Sequence, residues 1–117
     1  MTPDRPHAIV VTPHPGRVAV TFAGQVVART TRALDLAEGR LPAVLYVPRE
    51  DADMSAFVPT ERRTHCPFKG DARYFTLRAA GQEAQNAVWS YETPLPGAEA
   101  IAGHLAFYPD TVEIRQV

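Results

Sequence analysis

Arg73-Tyr74-Phe75-Thr76-Leu77-Arg78, then Ala80-Gly81-Gln82, then residues 83–91 ending in Val88-Trp89-Ser90-Tyr91, is the run that decides the fold. Its first part is rich in aromatic and β-branched side chains, which suit a pleated, half-buried surface. Ala80-Gly81-Gln82 reads as a hairpin loop, and the return segment as the partner strand. The same grammar extends outward. Val18-Ala19-Val20-Thr21-Phe22 alternates in burial, meets a second hairpin signal at Ala23-Gly24-Gln25 and continues as Val26-Val27-Ala28-Arg29-Thr30. Ala8-Ile9-Val10-Val11-Thr12 is β-branched and stops at the turn Pro13-His14-Pro15-Gly16. Ala33-Leu34-Asp35-Leu36 fits a strand or a helical turn. Residues 41–47, closed by Pro48, read as the best buried strand, and residues 60–65 as a further one entering the turn Cys66-Pro67-Phe68-Lys69-Gly70.

Residues 51–57 are the expected helix, with Asp51 or Asp53 as its cap and Pro59 as its end. Pro94, Pro96 and Gly97 mark a loop. Residues 104–108 and 111–114, joined by Pro109-Asp110, are expected to form a closing hairpin. The prolines fall between short apolar segments, which suits many short strands joined by turns. The predicted class is all-β and mainly antiparallel, with at most one or two short helices. The chain reads as a single domain over residues 1–117, with its core at about residues 9–112.

Composition narrows the function classes. The apolar share is 45%, the charged share 21% and the net charge −1, so this is a globular composition without the basic stripe of a duplex binder. No nucleic-acid partner is expected. One cysteine, Cys66, can build neither an internal disulfide nor a four-thiolate zinc site. The first seven residues lack the apolar core of a signal peptide. The longest apolar stretch, residues 41–48, falls well short of the ~20 residues that cross a bilayer. A cytoplasmic location without membrane association is expected.

Standard catalytic motifs are absent: there is no glycine-rich phosphate loop, no His-Glu-x-x-His and no Gly-x-Ser-x-Gly. His7, His14, His65 and His104 match no zinc spacing, and adjacent His65 and Cys66 point to opposite faces of a strand. Asp51 and Asp53 have the spacing of a two-metal clamp on a strand. Yet the pair is expected to open a helix, where first-turn acids are common for dipole reasons alone, and no phosphate-binding element precedes them. No metal and no cofactor is expected.

Two stretches are dense in recognising side chains. In Tyr46-Val47-Pro48-Arg49-Glu50-Asp51, an apolar strand ends at a proline that places Arg49 just outside the core. Arg49 could grip a carboxylate or phosphate there, or pair with Glu50, Asp51 or Asp53. In Thr64-His65-Cys66-Pro67-Phe68-Lys69-Gly70, the turn brings Cys66 and Lys69 together, with Gly70 suited to a left-handed backbone. A neighbouring ammonium favours a thiolate, whereas a lone cysteine is commonly an inert small hydrophobe. Trp89 and Tyr91 share one face of their strand, a polar-tipped aromatic pair that suits a pocket or an ordinary core.

In order along the chain, Thr31-Arg32-Ala33, Tyr46-x-Pro48-Arg49-x-Asp51, Thr64-x-Cys66-Pro67-Phe68-Lys69-Gly70-x-Ala72-x-Tyr74, Trp89-Ser90-Tyr91, Ile101-x-Gly103 and Phe107-Tyr108 resemble the family known as domain of unknown function 427. That family is sometimes given a nucleotidyltransferase-like label, which the residues here do not support. The resemblance implies a β-tent-like fold, two antiparallel sheets pinned at one end and splayed at the other. Several relatives of that fold hold zinc through four cysteines; with Cys66 alone, no structural zinc is implied here. Other relatives use the open end as an aromatic-lined cleft.

Three functions follow as expectations. The first is binding of a small polar, anionic or planar ligand by Arg32, Tyr46, Arg49, Lys69, Tyr74, Trp89, Tyr91 and Tyr108. The second is an enzyme or redox sensor with Cys66 and Lys69 as its catalytic pair and Tyr74 or Tyr46 as proton donor. The third is a protein-interaction module, for which a homodimer is one form.

Overall fold

The structure, a computed structural model, describes residues 8–117, so the expectation for His7 lies outside the described residues. Its strands are β1 (Ile9–Pro13), β2 (Val18–Phe22), β3 (Gln25–Thr30), β4 (Leu34–Glu38), β5 (Val44–Tyr46), β6 (Phe57–Cys66), β7 (Gly70–Ala79), β8 (Gln82–Tyr91), β9 (Ala106–Phe107) and β10 (Glu113–Gln116). Every pairing is antiparallel, so the protein is all-β as its patterning implies. The strands form three sheets, β1-β4-β5, β10-β2-β3 and β6-β7-β8-β9, rather than the two that the family resemblance implied.

Both Ala-Gly hairpins form. Ala23 and Gly24 have φ of 53° and 80°, and Ala80 and Gly81 have 53° and 76°. Two successive positive φ values give the mirror-image turn whose twist matches the flanking strands. Each alanine accepts a left-handed conformation that costs roughly 1–2 kcal/mol. Three expectations fail, two of them for a long-range reason. The helix over residues 51–57 is instead two single 3₁₀ turns, Arg49–Asp51 and Met54–Ala56. Ala52 is extended between them and bridges Ala28, while the Asp53 amide donates to the Val27 carbonyl at 2.8 Å, so the edge of β3 captures the chain. Asp53 does cap the second turn, accepting from the Ser55 amide at 3.2 Å. Pro59 ends no helix; it lies in β6, an edge strand where a missing amide is tolerated.

Of residues 41–47, only Val44–Tyr46 pairs as a strand, and Leu41 is 62% exposed. The closing hairpin does not form either. β9 pairs with β8 and β10 with β2, because the intervening Val112 is drawn into a core and sends the two segments to different sheets.

The central β7–β8 hairpin serves two apolar clusters. Phe75, Leu77 and Val88 pack with Val20, Phe22, Val27 and Phe57. Ala72, Tyr74 and Tyr91 pack with Leu36, Tyr46 and Ile101. Strand alternation divides the residues between these clusters, and the functional geometry grows from that division.

Candidate functional site

Tyr74 pairs with Trp89 and Ala72 with Tyr91 across β7 and β8, so Tyr74, Trp89 and Tyr91 project from one face of the hairpin. β4 and β5 face them with Leu36, Glu38, Val44 and Tyr46. Leu41 and Pro42 come from the loop between those strands, Lys69 from the β6–β7 turn and Tyr108 from just beyond β9. Together these residues line a cleft of about 220 Å³.

Its floor holds an ion pair. Lys69 is only 9% exposed, and its Nζ donates to the Glu38 carboxylate. The same ammonium lies 5.8 Å from the centre of the Tyr91 ring, a cation–π distance. Gly70, with φ of 110°, supplies the left-handed residue that closes the turn as the sequence implied. The Lys69 carbonyl is anchored by the Leu95 amide at 2.9 Å. Burial by itself disfavours the Lys69 charge. The hydrogen bond to Glu38 and the negative potential of Cys66, Glu38 and Tyr46 outweigh it and carry the pKa above the usual lysine value. The Lys69 ammonium is thus held in its charged form by its partner on the cleft floor.

The walls are aromatic and uncharged. Trp89 Nε1 donates to the Tyr46 hydroxyl at 3.3 Å, and the rings of Trp89 and Tyr108 are 4.8 Å apart. Burial pushes the Tyr46 phenol up to about 12, the Trp89 hydrogen bond opposing only part of that. Burial raises Tyr91 as well, reinforced by the neighbouring Cys66 and Tyr74. Tyr108 is raised by burial and by Tyr74. Tyr74 shares a 3.0 Å hydrogen bond with Thr64, and the Arg62 guanidinium lies 4.9 Å over its ring. The cleft thus offers ring faces, phenol hydroxyls and one internally neutralised ion pair.

Six of the eight expected ligand-binding residues converge here: Tyr46, Lys69, Tyr74, Trp89, Tyr91 and Tyr108. Arg49 and Arg32 do not. Arg49 lies on the opposite face of β7–β8, paired with Glu92, with its Nη2 3.3 Å from Ser90 Oγ and its guanidinium 5.4 Å from the Phe75 ring. Its carboxylate partner is none of the three acids nearest in sequence. Arg32 pairs with Asp51 at 3.2 Å and Glu50 at 3.9 Å. Asp51 also accepts from Thr30 at 2.7 Å while Asp53 caps a turn, so the two aspartates do different work and form no clamp. Among the described residues no three His, Cys, Asp or Glu side chains are grouped to hold a metal ion. Cys66 is half-buried against the second apolar cluster, beside the cleft residues but not lining the cleft.

Sequence reading missed Glu38, Leu36, Leu41, Pro42 and Val44. A signal existed for Glu38: once Leu34 and Leu36 are read as inward-facing in a strand, alternation brings Glu38 to the same face.

Residues 10–117 match the family described as "Domain of unknown function (DUF427)". The chain belongs to DUF427. Among the residues that carry the DUF427 pattern in this sequence, Tyr46, Lys69, Tyr74, Trp89, Tyr91 and Tyr108 line the cleft, whereas Arg49 and Asp51 anchor segments outside it. No curated protein matches this DUF427 chain. Among the described residues no helix is long and apolar enough to cross a membrane.

Proposed function

We propose that the protein is a small-molecule binding domain whose ligand, a single planar ring bearing polar substituents, is held in the aromatic cleft. The observation that carries this reading is the convergence of Tyr46, Tyr74, Trp89, Tyr91 and Tyr108 on one cavity around the Lys69–Glu38 pair. Ligand pockets are typically apolar and aromatic, with a few placed polar groups that fix orientation. At about 220 Å³ the cleft is smaller than the roughly 300 Å³ at which drug-sized pockets begin, which favours one ring over a dinucleotide or a peptide. The neutralised floor favours a ligand that both donates and accepts hydrogen bonds over a simple anion. A lysine held protonated and engaged with Glu38, the one carboxylate in the lining, favours binding over catalysis.

Trp89 is the single tryptophan of the chain, so its fluorescence reports on the cleft directly. A panel of single-ring heteroaromatic compounds should contain one that quenches Trp89. At a hundred times its dissociation constant, that compound adds about 2.7 kcal/mol and raises the unfolding midpoint by about 10 °C. Tyr108→Ala should abolish both effects and Arg49→Ala neither. Absence of quenching across the panel, or a stabilisation that survives Tyr108→Ala, sinks the reading.

A further inference from the structure

The outer side of the β10-β2-β3 sheet carries charge that the fold leaves unused. Ala19 pairs with Arg29 on one side and with Arg115 on the other, so the three stand in one row across the sheet. Arg17, two residues before Ala19, falls on the same face by strand alternation, while Val18 and Val20 are buried on the other. Arg17, Arg29 and Arg32, with Thr30, Thr31 and Asp51, line a depression of about 200 Å³.

Three arginines and one carboxylate therefore line the depression; that carboxylate is already engaged, and Arg32 also lies 3.9 Å from Glu50 outside it. Asp51 Oδ2 accepts from Thr30 Oγ1 at 2.7 Å and from Arg32 Nη2 at 3.2 Å. Arg115, outside the depression, is paired with Glu113 at 2.9 Å. Arg17 and Arg29 have no ion-pair partner among the described residues, in a chain whose net charge is −1. Like charges on one wall repel each other, and an anion between them relieves that repulsion. Guanidinium groups present paired N–H donors that match the oxygens of a phosphate.

We infer that this depression binds one tetrahedral oxyanion, the phosphate of a small soluble ligand. Its size and its two unpaired guanidiniums suit a single phosphate; a nucleic-acid strand is held by many more cations in line. The site lies on a different sheet from the aromatic cleft and does not depend on the reading proposed for it.

The test is calorimetric titration with inorganic phosphate and, separately, glycerol 3-phosphate, at ionic strength held constant with sodium chloride. Both probes should bind the wild type; a tighter ester assigns the site to an organic phosphate, and equal binding assigns it to the free ion. Arg17→Gln/Arg29→Gln should weaken binding by about ten-fold or more, the loss expected when charge-assisted hydrogen bonds are removed. Arg115→Gln should leave it within two-fold, about 0.4 kcal/mol. Both substituted arginines are exposed, and circular dichroism verifies that the double variant folds. No binding by the wild type, or equal binding by the double variant, overturns the proposal. Tight, steeply salt-dependent binding of single-stranded DNA in place of either probe also overturns it, because the face would then read a polyanion.

Discussion

The two faces of the β7–β8 hairpin start from the same pattern and end differently. Each sets a cation against an aromatic ring beside a carboxylate. On one face Lys69 lies 5.8 Å from the Tyr91 ring and pairs with Glu38. On the other, Arg49 and Arg73 lie 5.4 and 5.1 Å from Phe75, and both reach Glu92. The first face keeps a cleft of about 220 Å³; the second is packed, with Ser90 fully buried beneath Arg49. The facing segment makes the difference. The 3₁₀ turn Arg49–Asp51 delivers its arginine onto Phe75, whereas Leu41 and Pro42, at the rim of the cleft, stay exposed. A similar grouping of cation, ring and carboxylate becomes a lock or an opening according to what is laid across it.

Breaking the cleft-side pair should have the larger effect. Lys69→Met leaves the Glu38 carboxylate, largely buried, without its partner, and removing one member of a buried pair typically costs about 3 kcal/mol. Urea denaturation measures this directly. Lys69→Met/Glu38→Leu should recover most of the loss, since two apolar side chains replace two charges. Recovery of none would mean that Lys69 acts through its packing rather than its charge.

Arg49→Ala is the matching cut on the other face. It should cost about 1 kcal/mol, because the pair is partly solvent-screened and Arg73 continues to hold Glu92. A cost as large as that of Lys69→Met would erase the distinction between the two faces.

Alkaline titration sharpens the comparison further. Absorbance of tyrosinate should show Tyr46 ionising only near pH 12 and Tyr91 also late, whereas the urea-unfolded chain titrates all its tyrosines near 10. The folded values are raised, so these phenols contribute stability fully below pH 10. That contribution is lost as pH rises through the folded values. Simple titration of Tyr46 near 10 in the native protein would mean that water enters the cleft freely.

The smallest effect is expected away from both faces, at His14. Gln116 Nε2 donates to the Pro15 carbonyl, which leaves Oε1 to accept from His14 Nε2 at 2.9 Å, while His14 Nδ1 donates to Asp35 at 2.9 Å. Both ring nitrogens thus act as donors, and the bonds to Gln116 and then Asp35 raise the pKa above the ordinary value of 6.5. The raised value means that its stabilisation is complete below pH 6.5 and fades as pH climbs through the folded value. Denaturant midpoints on either side of that range should fall slightly with pH, and His14→Gln should remove the slope.

Much of the strand pattern was legible. Both Ala-Gly hairpins, the Cys66–Gly70 turn and the shared face of Trp89 and Tyr91 follow from local sterics and from alternation. The helix over residues 51–57 was not, because a bridge from Ala52 to Ala28 and a hydrogen bond from Asp53 to Val27 outweigh local helix signals. The closing hairpin failed for a related reason: the Pro109-Asp110 turn is genuine, but β8 and β2 offer the two segments separate edges. Five aromatic cleft residues could be named in advance because aromatic side chains cluster wherever their strand faces meet, and Lys69 because its turn was legible. Arg49 could not be placed, since nothing local distinguishes Glu92 from the nearer Glu50, Asp51 and Asp53.

The sequence by itself determined an all-β chain, the positions of most of its strands and turns, its DUF427 membership and the side chains that share a strand face. Those properties rest on backbone sterics and a two-residue period, which act between neighbours. Only the tertiary structure decided which cation meets which carboxylate, Lys69 with Glu38 across 31 residues and Arg49 with Glu92 across 43, and hence which face is closed and which stays open. Charge pairing acts through space and depends on the burial of both partners, and neither distance nor burial is written in the order of the residues.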